Sequence, residues 1–246
     1  TTSGHAQISE SSEVGTFVAH ISVIDHDSGR NGQLSCELNS DHFWLEHLYK
    51  TQYKITTTGV FDRELKEKYE LILTCQDFGM PAQTTNKSII VSVVDENDHA
   101  PRFEQELYTA NVPENNNVGI FVVSVHATDQ DTGKNGEIQY NIEEVFASEL
   151  FNIDRSSGII SAKVQFDREE MEEIMFVVVA RDQGIPSWSA TAQVVVDITD
   201  QNDEPPLFTQ PNYSFGVFEN RPPGTQVGLV TASDRDSGPY NEIEYH

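Results

Sequence analysis

Carboxylates dominate the chemistry available to this sequence, and they recur in step. Asp25-His26-Asp27-Ser28-Gly29, Asp129-Gln130-Asp131-Thr132-Gly133 and Asp234-Arg235-Asp236-Ser237-Gly238 begin 104 and then 105 residues apart. Asp62-Arg63-Glu64 returns as Asp167-Arg168-Glu169, and Asp95-Glu96-Asn97-Asp98 as Asp200-Gln201-Asn202-Asp203, each after 105 residues. Glu10, Glu114 and Glu219 mark the start of each unit. Such a period exceeds the roughly 20–50 residues of solenoid repeats and fits tandem domains of about 100 residues. Each boundary therefore collects acidic groups from the unit before it, the linker and the unit after it.

Clustered oxygens of this kind suit Ca2+, which takes six to eight oxygen ligands; Mg2+ favours a tight octahedron and keeps its waters. Zinc and copper prefer histidine or thiolate. His26 and His99 lie within the motifs, but His26 falls between two acidic positions and reads as a solvated loop residue. An EF-hand loop requires Gly at its sixth position and Glu at its twelfth. Counting from Asp25 these are Arg30 and Cys36, and from Asp129 they are Lys134 and Tyr140, so both fail. One Asp-x-Asp-x-Gly alone would be an ordinary solvated turn. Four acidic motifs keeping the same step are not.

The 246 residues carry 40 Asp and Glu against 15 Lys and Arg, a net charge of −25. That balance argues against nucleic acid, whose binding needs basic side chains to displace counterions, and against docking on an anionic membrane. Disorder is also disfavoured, because the 37% of hydrophobic residues sit in short alternating runs. Apolar stretches such as Ile89-Ile90-Val91 and Phe176 to Ala180 fall far short of the roughly 20 residues that span a bilayer. No basic start followed by an apolar core marks a signal peptide. The third unit breaks off at His246 soon after its Asp-x-Asp, as expected of an internal piece of a longer ectodomain.

Cys36 and Cys75 fall at inward positions of alternating strands. They fit either a disulfide or two buried thiols, and the thiol reading is preferred because free cysteine is often buried. Asn86-Lys87-Ser88 and Asn212-Tyr213-Ser214 are glycosylation sequons. Paired carboxylates also serve glycoside hydrolases. Here, however, every clustered carboxylate belongs to the periodic scheme, and no Gly-x-Ser-x-Gly or His-Glu-x-x-His occurs. The chain is expected not to be an enzyme.

The acidic motifs must be positioned by strands. In the second unit Val118 to Val125 reads as a strand and Asp129 to Gly136 as a turn, followed by alternation at Ile138, Tyr140 and Ile142. Phe151 to Ile160 suggests a hairpin with Gly158 at its turn; Phe176, Val178 and Ala180 alternate, and Ala192 to Ile198 closes the unit. Glu169 to Ile174 is the one place where a short helical turn competes. The first unit repeats the plan with Leu34, Cys36 and Leu38, then Leu71, Leu73 and Cys75, then Ile89 to Val93. About seven strands in about 100 residues predict an all-β chain of antiparallel sandwiches. The expected domains are 1–98, 99–203 and a partial third at 204–246.

These residues resemble the cadherins over the whole chain. The resemblance rests on Pro113-Glu114-Asn115, Asp129-x-Asp131-x-Gly133-x-Asn135-Gly136, Asp167-Arg168-Glu169, Ala180-x-Asp182-x-Gly184-x-Pro186 and Asp200-x-Asn202-Asp203-x-x-Pro206. It implies tandem seven-stranded Greek-key sandwiches joined end to end, with three Ca2+ at the first junction and two to three at the second. Carried over by position, the first junction uses Glu10, Asp62, Glu64, Asp95, Asn97, Asp98, Asp129, Asp131 and Asp182, with carbonyls from Glu96, His99 and Asn135. The second uses Glu114, Asp167, Glu169, Asp200, Asn202, Asp203, Asp234 and Asp236, with carbonyls from Gln201, Glu204 and Asn241. The counterpart of Asp182 would lie beyond His246, so one ion there is expected to be weakly held or absent. Asp25, Asp27 and Asp77 would serve a junction with a preceding repeat.

The chain departs from the family pattern in three places. His99 and Glu204 stand where the family usually has Asn, Ser9-Glu10-Ser11 replaces Pro-Glu-Asn, and one extra residue lies between Gly238 and Asn241. Residues 42–64 lack the usual Phe-x-Ile-Asp-x-x-x-Gly hairpin, and in this the chain is similar to the fourth to sixth repeats of protocadherins, with Fat and Dachsous cadherins sharing the patterns. Nothing like an exchanged N-terminal Trp strand is present, and Trp44 and Trp188 are expected to pack within their own units. The resemblance implies calcium-dependent cell–cell adhesion by the extracellular part of a single-pass plasma-membrane receptor. The implied partner is another cadherin ectodomain on an apposed cell, with no direct membrane contact by this segment; the alternative is a structural spacer with adhesion elsewhere.

Overall fold

Alternation of apolar and polar side chains decides both sheets of the first unit. A computed structural model describes residues 5–246. By proximity these form two compact units: residues up to Ala100 with Asp129–Glu137 and Asp182–Trp188, and a second made of Pro101–Thr128, Ile138–Arg181 and Ser189–His246. The first holds β1 (His5–Ser9), β2 (Phe17–Ser22), β3 (Leu34–Asn39), β4 (Phe43–Tyr49), β5 (Gln52–Thr57), β6 (Lys68–Asp77) and β7 (Thr84–Val94). One sheet runs β1-β7-β6-β3 and the other β2-β5-β4, with β1 parallel to β7 and every other pairing antiparallel. Tyr69, Leu71, Leu73 and Cys75 point inward from β6, and Ile89, Val91 and Val93 from β7. They meet Val18, Phe43 and Ile55 of the opposite sheet in one core. Phe43, Phe61 and Tyr69 pack their rings with centroids 5.3–5.5 Å apart.

The second unit repeats this plan with β8 (Arg102–Phe103), β9 (Leu107–Pro113), β10 (Phe121–Ser124), β11 (Ala127–Thr128) and β12 (Gln139–Ile142). Helix α1 (Val145–Leu150) precedes β13 (Phe151–Ile153), β14 (Ile159–Ala162), β15 (Glu173–Arg181) and β16 (Ser189–Thr199). The sheets are β12-β15-β16-β9 and β10-β14-β13, with β9 parallel to β16 and a small β8–β11 ladder beside them. Phe151 stacks on Phe176 at 4.9 Å, and both are essentially buried with Val178, Val194 and Val196. Gly158, at φ +69°, turns the β13–β14 hairpin where a Cβ would lie 2.2 Å from the Val125 carbonyl oxygen. Residues 204–246 contribute a single short ladder, β17 (Leu207–Phe208) with β18 (Ala232–Ser233), and leave Val217, Phe218 and Leu229 exposed.

Several expectations change. Cys36 and Cys75 are not free thiols; they form a disulfide. The two lie directly opposite one another on β3 and β6, where facing Cβ atoms come within bonding reach. Trp44 and Trp188 are not packed away: they are 62% and 48% exposed. Trp44 follows inward-facing Phe43 on β4, so the pleat turns it outward. The strand foreseen from Val118 begins only at Phe121, because Asn117 to Ile120 forms a turn through Gly119 at φ +88°. The helical turn that competed at Glu169–Ile174 is limited to Asp167–Met171, and β15 starts at Glu173. Helix α1 was not foreseen; it carries Ala147 into the core.

Adjacent residues of β15 provide a test of the register. Phe176→Ala should cost about 3–5 kcal/mol of stability, the range for emptying a buried aromatic site. Met175→Ala, on the half-exposed face, should stay within about 0.5 kcal/mol of the parent. Equal losses in denaturant melts would contradict the assigned inward face.

Candidate metal centres

Glu10 and Glu114, at the starts of successive repeats, are wired alike. Both are buried, at 8% and 1% exposure. Glu10 Oε1 accepts the Glu96 N–H at 2.5 Å and Oε2 the Arg63 N–H at 3.0 Å. Glu114 Oε1 accepts the Gln201 N–H at 2.5 Å and Oε2 the Arg168 N–H at 2.8 Å. Each glutamate thus ties a linker to the neighbouring Asp-Arg-Glu turn.

In the first compact unit, ligand atoms of Glu64, Asp98, His99 and Asp131 lie within 4.8 Å of one another. Asp131 Oδ2 accepts the His99 N–H at 3.2 Å, while its own N–H donates to Asp129 Oδ1 at 3.0 Å. Asp95 accepts the Thr132 N–H at 3.1 Å and Asn135 Nδ2 at 2.9 Å, so Asn135 meets this cluster through its side-chain amide. Asn97 Nδ2 donates to Asp182 Oδ2 at 3.1 Å and to the Pro186 carbonyl at 2.6 Å. A Cβ at Gly184 would stand 2.3 Å from the Asn97 amide carbon and displace that side chain. Asp62 is exposed and caps its own turn through the Leu65 N–H at 2.9 Å. Glu96 turns its side chain away to Ser9 and Ser11, which hold its carboxyl below the usual range.

The second compact unit holds two overlapping groups, Glu114 with Glu169 and Asp203, and Glu169 with Asp200 and Asp236. Its wiring copies the first. Ser237 N–H donates to Asp200 Oδ2 at 2.9 Å, Glu204 N–H to Asp236 Oδ1 at 3.3 Å, and Asp236 N–H to Asp234 Oδ1 at 3.0 Å. Asp167 receives the Glu170 N–H at 3.3 Å, and Gln201 folds its side chain back to the Glu114 carbonyl. Asn202 and Asn241 are exposed and make no side-chain hydrogen bond among the described residues. Asn86 and Asn212, the sequon asparagines, are also exposed.

The side chains fit a multivalent cation. Among the described residues, five buried polar side-chain atoms lack a hydrogen-bond partner, and four are oxygens of the acidic clusters: Asn97 Oδ1, Asp129 Oδ2, Asp200 Oδ1 and Asp236 Oδ2. Buried acceptors left bare are costly unless something else satisfies them. The fifth is Arg63 Nε, which lies 2.5 Å from Asp95 Oδ1 as an ion pair without hydrogen-bond alignment. Arg63, 7% exposed, also reaches Glu64 and the Gln130 carbonyl. Arg168 stands 3.5 Å from both Glu169 and Asp200. The arginine of Asp-Arg-Glu thus joins the acids of the motif in the cluster, and its recurrence as Arg63 and Arg168 is the signal for it in the sequence.

Crowding shifts the titration of these groups. Burial, then the neighbouring Asp129, raises the Asp131 carboxyl above its ordinary range. Burial raises Glu64 against the pull of Arg63, and burial with Glu114 and Asp200 raises Glu169. Burial, then Asp234 and Asp200, raises Asp236. Burial pulls the His99 imidazole down, but Asp98 and Asp131 outweigh it and raise it.

The profile described as the Cadherin domain matches residues 4–94 and 108–199. The chain is 38% identical over 238 residues to Protocadherin-11 X-linked of Sus scrofa, covering 96% of this chain and 21% of that protein. It is 37% identical over 246 residues to Protocadherin-23 of Homo sapiens, covering 98% of this chain and 7% of that protein. It therefore spans only about a fifth or less of these relatives. Among solved structures, a protocadherin gammaB7 EC3-6 cis-dimer superposes with a TM-score of 0.86 at 35% identity, covering 98% of this chain and 61% of that one. Mouse cadherin-23 EC22-24 gives 0.78 at 27% identity, covering 96% and 76%.

The raised carboxyls set the sign of a pH test. At these raised groups protons bind the folded, metal-free chain more tightly than the unfolded one, so their contribution to stability falls as pH rises from the ordinary carboxylate values near 4 through the raised ones. His99, also raised, adds the same sign. In chelator, the melting temperature should climb as pH drops from 7 to about 5; in millimolar Ca2+ it should fall, because the metal needs the ionised groups. Parallel pH trends in the two conditions would contradict the crowding described above.

Proposed function

The chain belongs to the cadherin family, and from that premise we propose that it is a calcium-rigidified segment of the ectodomain of a single-pass cell-surface adhesion receptor. The observation that carries this reading is the pair of like-wired acidic clusters whose buried oxygens lack partners. Glu10, Asp62, Glu64, Asp95, Asp98, Asp129, Asp131 and Asp182 supply the carboxylates of the first junction, and Asn97 with the Glu96, His99 and Asn135 carbonyls completes the set. Glu114, Asp167, Glu169, Asp200, Asp203, Asp234 and Asp236 supply the second, with Asn202 and the Gln201, Glu204 and Asn241 carbonyls. Bound Ca2+ provides the positive charge that turns mutual repulsion into cross-links.

The chain's own residues then do the rest. Glu10 and Glu114 fix the linkers to the Asp-Arg-Glu turns through backbone N–H groups. The Asp-x-Asp loops present their second aspartate to a backbone N–H of the preceding linker, that of His99 in one and Glu204 in the other. Extracellular modules bind Ca2+ at about 10⁻⁴–10⁻³ M, so such sites fill outside the cell and empty inside it. A linker ordered in advance lowers the entropic cost of meeting a partner. That partner is another cadherin ectodomain, of the same or a related kind, on an apposed cell. No catalytic role is assigned. The domain limits 1–98, 99–203 and 204–246 and glycans at Asn86 and Asn212 belong to the same proposal.

Beads coated with the chain should aggregate in millimolar Ca2+ and disperse in chelator. Asp131→Asn should raise the Ca2+ midpoint of thermal stabilisation at least about tenfold, the lower end of the cost of disturbing a ligand set. Aggregation indifferent to chelator would sink the adhesive reading. Calcium-dependent stabilisation with no aggregation would instead mark the chain as a spacer.

A further inference from the structure

The outer face of β12 and β15 carries a groove that the acidic clusters do not use. Its volume is about 450 Å³, and it is lined by Gln139, Asn141 and Glu143 along β12, Val179 and Arg181 on β15, and Arg155 from the β13–β14 turn. Gln139 lies opposite Arg181 and Asn141 opposite Val179, while Tyr140 and Ala180 between them point into the core. The pleat therefore sends the first four to the same outer side. Arg155 stands at the free edge of β12, where its carbonyl accepts the Tyr140 N–H at 2.9 Å.

In a chain with 40 acidic and 15 basic side chains, an arginine has many anions to pair with. Arg155 and Arg181 pair with none: among the described residues neither guanidinium makes an ion pair or a hydrogen bond, and the amides of Gln139 and Asn141 are equally uncommitted. The fold itself does not demand these cations. At the matching strand positions of the first repeat, Ser35 lies opposite Gln76 and Glu37 opposite Thr74. A guanidinium presents a planar fork of donors that matches a carboxylate, and amides both donate to and accept from hydroxyls. Glu143, about 7 Å further along the strand, accepts from hydroxyls and repels a second anion. Such a gradient suits a ligand with one carboxylate and several hydroxyls, and Val179 gives its ring an apolar floor. A polysulfated chain or an acidic peptide would set further negative charge against Glu143.

We propose that this groove of the second repeat binds an acidic sugar, a sialic or uronic acid, its carboxylate held by Arg155 and Arg181 and its hydroxyls by Gln139, Asn141 and Glu143. The proposal does not rest on the calcium reading, because none of these residues belongs to the acidic clusters. The second repeat would then meet glycans as well as protein.

The test uses the whole chain in millimolar Ca2+, titrated with 3′-sialyllactose, with an unsulfated glucuronic acid disaccharide and with neutral lactose while amide shifts are followed by NMR. One of the two acidic sugars should bind at least about tenfold more tightly than lactose and move the amides of Gln139 to Glu143 and of Arg181. Which of the two binds identifies the source of the carboxylate. Arg155→Gln and Arg181→Gln should each weaken that binding at least about tenfold, the effect of losing a charged hydrogen bond. Arg102→Gln, exposed elsewhere in the same repeat, should behave as the parent. The Ca2+ midpoint of thermal stabilisation should be the same in Arg155→Gln as in the parent, which keeps this result separate from the calcium reading. Affinity no better than for lactose, or unchanged in both arginine variants, would overturn the proposal. So would tighter binding of hexaglutamate or of a heparin tetrasaccharide, which would point to an acidic peptide or a polysulfated chain instead.

Discussion

Mutual repulsion among carboxylates held close together is the constraint around which the rest of this chain is arranged. A buried anion is expensive unless it is paired and hydrogen-bonded. The protein supplies part of the compensation itself. Backbone N–H groups are aimed at both oxygens of Glu10 and of Glu114, and an arginine from the same turn stands beside each cluster. It does not complete the compensation, because among the described residues Asp129 Oδ2 and Asp236 Oδ2 have no hydrogen-bond partner. A fold that satisfied all of them internally would have no use for a metal.

The sandwiches provide the rigidity that this incompleteness requires. Their cores are ordinary: alternating Val, Ile, Leu and Phe on paired strands, with Phe151 on Phe176 in one and Phe43, Phe61 and Tyr69 in the other. Strong cores allow loops that are poor in apolar contacts to hold charged groups in fixed places. Asp129–Glu137 and Asp182–Trp188 are such loops, and they cluster with the residues up to Ala100 in the first compact unit.

Much of this was legible in the sequence because its signals are local. The pleat of Phe176, Val178 and Ala180, the Gly158 turn and every acidic motif are contained in a few consecutive residues. What escaped depended on distant partners. The Cys36–Cys75 bond follows from the register of β3 on β6, which spacing along the chain does not reveal. The β4–β5 hairpin turns at Lys50, in φ +50°, without the family's glycine signature. The outward turn of Trp44 follows from the inward placement of Phe43 beside it on β4, which depends on the pairing of that strand. Asn241, shifted by one inserted residue, stays out of the cluster's hydrogen bonds, and Arg63 was overlooked because its neighbours were acidic.

The link between Cys36 and Cys75 has a mechanical consequence for a chain read as joining one cell to another. The cysteines are 39 positions apart and tie the outermost strand of a sheet to an interior one. Under tension, the segment between them is excluded from extension even after its hydrogen bonds give way. At about 3.3–3.6 Å per residue, roughly 130–140 Å of contour stays folded into the covalent loop. Pulled to failure, this repeat would lengthen in a shortened step, and only a reductant would release the remainder.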